Sequence, residues 1–190
     1  MFTDYLTVML INMVAGLVLL AGYVLLGLPQ TDQRLWAPGF AAVGLVAIAT
    51  GLHMTLTWPL RGDKPGLEWA NVAFGEPTLL LGALFAAAAL ATALGWRLHA
   101  VAVCGAFAGA AAIVIGVAIA SLKLTAMPTL AATGFILTGA AAILMPLAVW
   151  FSRFLPTRAL VAALLAAAAA IWAIVGYGGL WMHLKRFSGH

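Results

Sequence analysis

Residues 36–58 read WAPGFAAVGLVAIATGLHMTLTW, a stretch with no Asp, Glu, Lys or Arg and a tryptophan at each end. A helix needs about 20 consecutive apolar residues to cross a hydrocarbon core about 30 Å thick, and indole rings favour the headgroup level at either end of such a span. The stretch therefore reads as a membrane-crossing helix. Runs of the same kind fill the rest of the chain: of 190 residues 65% are apolar and 7% charged, with a mean hydropathy of +1.13, against about a quarter charged in a soluble protein. The strand-like alternation of an outer-membrane barrel is absent. Because no water reaches the backbone inside a bilayer, helices are the spanning solution that remains.

Six spans can be drawn, at about Tyr5 to Leu28, Trp36 to Trp58, Pro77 to Trp96, Leu98 to Leu122, Met127 to Arg153 and Thr157 to Leu184. The expected fold class is an all-α polytopic bundle, a single domain over residues 1–190 in a prokaryotic inner membrane. Trp36, Trp58, Trp96, Trp150 and Trp181 fall near span ends, as an aromatic belt requires. The tightest connection, Trp96-Arg97-Leu98-His99, is feasible if Gly95 ends one helix and Arg97 snorkels. The first run starts behind Asp4 without a basic n-region or a small-residue cleavage site, so it reads as a permanent helix.

Six crossings place both ends on one face, with the connection from Pro59 to Glu76 and the loop at Lys123. That face carries Arg61, Lys64, Lys123, Lys185 and Arg186, against Arg34, Arg97, Arg153 and Arg158 opposite. The imbalance favours termini in the cytoplasm. A net charge of +4 spread over loops points to anionic lipid headgroups as the charged partner and not to nucleic acid.

Two patterns concern packing. Pro38-x-x-Ala41-Ala42-x-Gly44 recurs as Pro128-x-x-Ala131-Ala132-x-Gly134 at an offset of 90 residues, which would relate two inverted three-helix repeats. Gly105, Gly109 and Gly116 form a smooth stripe on the fourth span, suited to close helix contact within the chain, in a homo-oligomer or in a larger membrane complex. The lone Cys104 excludes an internal disulfide and reads as a small core residue.

Ionisable groups at bilayer depth are functional-site hypotheses by default. His53 shares a helix face with Ala42, Ala49 and Thr57, opposite Gly44 and Gly51. Both faces suit protein contact, so the second span is expected to be central and His53 interior. On the sixth span Trp172, Gly176, Gly179 and His183 form one stripe, leaving space beside His183 for a neighbouring helix or a flat cofactor. Asn12 needs hydrogen-bond partners within the bundle. With Glu76 these residues belong to the half of the membrane nearest the termini. Two histidines and a carboxylate suit a transition metal, and two histidines on separate spans suit haem b, which makes His53, Glu76 and His183 candidate metal ligands and His53, His183 and Asn12 candidate cofactor contacts. Each also has an ordinary reading: Glu76 before Pro77 as a helix cap, His183 as an interfacial residue, His53 as a hydrogen-bonded structural histidine. No H-E-x-x-H, G-x-S-x-G, phosphate-binding glycine loop or C-x-x-C-H is present.

The run His53-Met54-Thr55-Leu56-Thr57-Trp58-Pro59-Leu60, with Phe74-Gly75-Glu76-Pro77 downstream, resembles a family of small prokaryotic polytopic membrane proteins classed as a domain of unknown function. The resemblance covers most of the chain and implies a helical membrane bundle without an activity to carry over. From the residues, the leading expectation is a redox metal or haem site serving electron transfer or membrane oxidoreduction. The alternatives are a proton- or ion-coupled transporter or channel, and a structural subunit of a membrane complex. Reporter fusions to the two ends of the chain should report the same side of the membrane; opposite sides would show a miscounted span, most readily at Trp96 to His99.

Overall fold

The computed structural model describes residues 6–60 and 66–188. Among them every regular element is helical: α1 Leu6–Gly22 with a π-turn at Tyr23–Gly27, α2 Ala37–Thr57, α3 Glu76–Leu94 with a π-turn at Asn71–Gly75 before it, α4 His99–Leu122, α5 Pro128–Trp150 and α6 Leu155–Phe187. All six are long and apolar enough to cross a membrane. Their ends follow local chemistry. Gly95 closes α3 in the left-handed conformation at φ 71°, where a Cβ would be strained. Pro38, Pro77, Pro128 and Pro156 sit in first turns, where no N–H is needed.

The third span begins earlier than Pro77. Its helix runs continuously from the π-turn, so Glu76 lies inside a helical segment and makes no cap hydrogen bond. The cause is Asn71, which is 1% exposed and accepts from Leu60 N–H while donating to Leu60 and Glu68 carbonyls. That side chain ties the α2 exit to the α3 entrance and starts the helix there.

The helices close a ring in the order α4, α5, α6, α1, α2, α3 and back to α4. Packing is most extensive between α4 and α5 and between α2 and α3, and sparse between α1 and α2 and between α3 and α4. Glycines set the tight pairs. A Cβ on Gly51 would strike the Leu79 backbone, and one on Gly82 would lie 2.6 Å from Ile48 N. A Cβ on Gly109 would stand 2.7 Å from the Gly139 carbonyl, and Gly139 meets the Gly109 carbonyl in return. Gly116 likewise abuts the Ala132 carbonyl. The stripe on the fourth span is thus occupied by α5 of the same chain, with Gly109 and Gly116 buried. Gly105 departs from it, facing only Leu84 Cδ1 at 4.0 Å.

Two aromatic sets bridge the ring. Tyr23 packs edge-on to Trp36 and Phe40, and Phe40 to Phe85. Phe74 packs on Phe135, and Phe135 edge-on to Trp172 at 5.0 Å. Gly51→Ala or Gly109→Ala should destabilise the detergent-solubilised protein by about 1–3 kcal/mol, the usual cost of overpacking, whereas Gly105→Ala should leave the thermal midpoint near the parent. Equal midpoints for all three would refute the close-approach account.

Candidate functional site

The residues that the sequence grouped sit on four different helices and differ in exposure. His53 is exposed on the outer surface of α2, as are Ala42, Ala49 and Thr57 on the same face. The inward stripe of α2 is instead Phe40, Val43, Gly44, Ala47, Gly51 and Met54. That outer face is exposed, so within the described residues α2 packs along one stripe where two were expected. Within α2, Thr57 Oγ1 donates to the His53 carbonyl at 2.7 Å and lies 3.3 Å from His53 Nδ1. Glu76 is exposed. His183 is half-buried, with Nδ1 3.4 Å from Thr7 Oγ1 on α1. In the groove beside it α1 seats Leu10 Cβ 3.1 Å from the position of a Gly176 Cβ, while Gly179 meets nothing within 4 Å. Asn12 finds its partner in the Val43 carbonyl at 3.0 Å, a link from α1 to α2. Among the described residues no three His, Cys, Asp or Glu side chains converge as a metal-ligand set. Cys104, expected in the core, is exposed on α4.

What the ring encloses is apolar. A chamber of about 170 Å³ takes its lining from all six helices, among them Met13, Phe40, Phe74, Phe85, Phe135 and Trp172. On α1 the lining runs from Met9 to Tyr23, about 20 Å at the helical rise. The hydroxyls on this wall belong to Tyr23, Thr78 and Thr138. Two are engaged: Tyr23 donates to Gln33 Oε1 at 2.6 Å, and Thr138 donates to the Gly134 carbonyl while accepting from Trp172 Nε1. None of Asn12, His53, Glu76 and His183 is on the wall. Left empty, a void of about 170 Å³ costs about 4 kcal/mol at the penalty of roughly 24 cal/mol per Å³ seen in soluble cores.

Outside the ring, a groove of about 520 Å³ runs along the sparse α3–α4 seam and is lined by Leu80, Ala83, Ala87, Cys104 and Phe107 among others. Leu84, Val101 and Ala108 line the groove and the chamber alike. These residues are all that the two spaces share as a wall.

Among the described residues one charged side chain is interior. Arg158, in the first turns of α6, is 8% exposed. Its Nη1 donates to the Leu25 carbonyl at 2.7 Å and reaches the Val24 carbonyl at 3.5 Å. Those carbonyls are open because Pro29 has no N–H to offer and the Leu28 and Gln30 N–H groups bond to Tyr23 and Gly27. From sequence Arg158 reads as one loop charge among several. The signal that would have found it is its place on the stripe Arg158, Val161, Leu165, Ala168 and Trp172, every member of which is buried.

Six membrane-length helices ringing an apolar chamber define a multi-pass helical membrane protein. The chain belongs to a family of proteins of unknown function, DUF981, whose profile matches residues 1–186. No curated protein and no solved structure matches it.

Asn12→Leu should lower stability by about 0.6 kcal/mol, the average for an interhelical hydrogen bond in a membrane bundle. His53→Ala should stay within about 0.5 kcal/mol of the parent, as surface substitutions do. Thermal unfolding in one detergent compares the two, and a larger loss in His53→Ala would place that imidazole in the packed interior after all.

Proposed function

We propose that the protein binds a hydrophobic, lipid-like molecule within the membrane, its chain passing from the bilayer between α3 and α4 into the chamber. The placing of groove and chamber on either side of the sparsely packed α3–α4 seam, with Leu84, Val101 and Ala108 lining both, carries this reading. An apolar cavity of about 150 Å³ stays dry and takes up a benzene ring. The chamber at about 170 Å³ is of that size, and with the adjoining groove of about 520 Å³ it falls in the range of about 300–1,000 Å³ typical of small-molecule sites. The occupant also offsets the penalty of an empty core. An ion or proton path would need polar groups along its length, and the wall offers three hydroxyls among aliphatic and aromatic side chains.

Native mass spectrometry of the detergent-solubilised protein with methyl oleate tests the reading. The parent should show a saturable adduct. Gly105→Leu, which projects into the chamber where the nearest atom is 4.0 Å away, should weaken it about tenfold, equivalent to 1.4 kcal/mol. Equal occupancy in both proteins, or no saturable adduct in the parent, would overturn the proposal.

A further inference from the structure

We propose that the chamber's ligand is an anionic amphiphile, and that Arg158 binds its carboxylate or phosphate. The inference rests on the reading of the chamber as a hydrophobic binding site, and adds to it the chemistry of the head group.

The stripe of α6 that carries Arg158 continues into the chamber. Leu165 and Trp172, one and two heptads further on, both line it. The seven residues from Arg158 to Leu165 span about 10 Å at the helical rise, and Tyr23, adjacent to the Val24 that Arg158 contacts, is on the chamber wall. Arg158 is itself off the chamber wall, but its contact with Val24, next to the wall residue Tyr23, sets it just beyond the end of the chamber nearest the connection between α1 and α2. Trp36 covers the π-turn there, with its ring 3.5 Å from the position of a Gly22 Cβ. This is the depth at which aromatic rings meet headgroups. An amphiphile with its chain in the chamber would hold its head group here.

The guanidinium is short of partners for its charge. A buried cation requires an anion or a full set of acceptors, and only Nη1 is engaged, by two backbone carbonyls. The end of α1 contributes a partial negative charge of about half a unit. Arg158 Nε is buried with no hydrogen-bond partner, and no Asp or Glu among the described residues pairs with the guanidinium. The side chain is also fixed in place by its two carbonyl contacts. The unused Nε–H and the neighbouring Nη2 form the planar donor fork that matches a carboxylate or phosphate through two parallel hydrogen bonds. If Arg158 acted only to cap the carbonyls of α1, its replacement would change stability and leave ligand preference alone.

The test uses the full chain in a neutral maltoside detergent with three probes: oleate, methyl oleate of the same chain length, and inorganic phosphate. Native mass spectrometry reads the two amphiphiles, and a thermal shift reads phosphate. The parent should bind oleate at least about tenfold more tightly than methyl oleate. In Arg158→Gln the two should fall within about twofold. Arg158→Lys keeps the charge but lacks the fork, and should retain only part of the preference; if Arg158→Gln does not fold, full parental preference in Arg158→Lys overturns the inference. Equal binding of the two amphiphiles by the parent, or an undiminished preference in Arg158→Gln, overturns it while the chamber reading stands. If neither amphiphile binds, the chamber reading fails and phosphate decides. Stabilisation by phosphate that Arg158→Gln abolishes would keep Arg158 as an oxyanion site with a free anion as its source, and no stabilisation would dismiss both.

Discussion

Close approach of helix backbones is the interaction on which this bundle depends. Inside a bilayer a leucine gains little by exchanging lipid for protein, so helices associate where small residues let dispersion contacts accumulate over backbone. Gly51 and Gly82 bring α2 against α3, and the reciprocal pair Gly109 and Gly139 brings α4 against α5. Where glycines meet backbone the packing is dense. At the α3–α4 seam Gly105 meets one leucine methyl at 4.0 Å, and there the ring is loose. The uneven distribution of small residues along the helices therefore produces two rigid pairs and leaves the α3–α4 seam weak. The chamber and its neighbouring groove lie on either side of that seam.

Polar groups then fix how the pairs sit relative to one another. In a medium without water each must find a partner within the protein. Asn12 donates to α2, Trp172 Nε1 to Thr138 on α5, Asn71 to the α2 exit, and Arg158 to the open end of α1. The contacts of Asn12, Trp172 and Arg158 join elements outside the two tight glycine pairs, while that of Asn71 reinforces the α2–α3 pair. Arg158 is distinct in that the bonds it makes leave part of its donor set unused.

The six spans, the all-helical class and the stop at Gly95 were legible in the sequence, because length and hydropathy respond directly to the thickness of the hydrocarbon core. Helix orientation was not. In a soluble helix the polar face marks the outside, but lipid-facing and interior residues here are equally apolar, so Cys104 and the face of His53 were assigned inward and lie outward. The start of α3 was hidden for another reason: Glu76-Pro77 has the composition of a helix start, while the element that begins the helix is Asn71, acting through a contact across the connection. The chamber left no motif at all, since it is built from Leu, Ala, Met and Phe that also serve as ordinary lipid-facing residues.

The ring order places α1–α3 and α4–α6 side by side as two halves that meet at two junctions, α6 with α1 and α3 with α4. In a symmetric pair of inverted halves these junctions would be equivalent. Here α6 and α1 are in close contact, with Leu10 seated on Gly176, while α3 and α4 touch sparsely across Leu84 and Gly105. One junction therefore holds the halves together, and the other is the loose seam through which the proposed ligand would enter. A bundle closed equally at both junctions would enclose its chamber from lipid, and one open at both would have nothing to keep α1 and α6 in the register that sets Arg158 against the carbonyls of Val24 and Leu25.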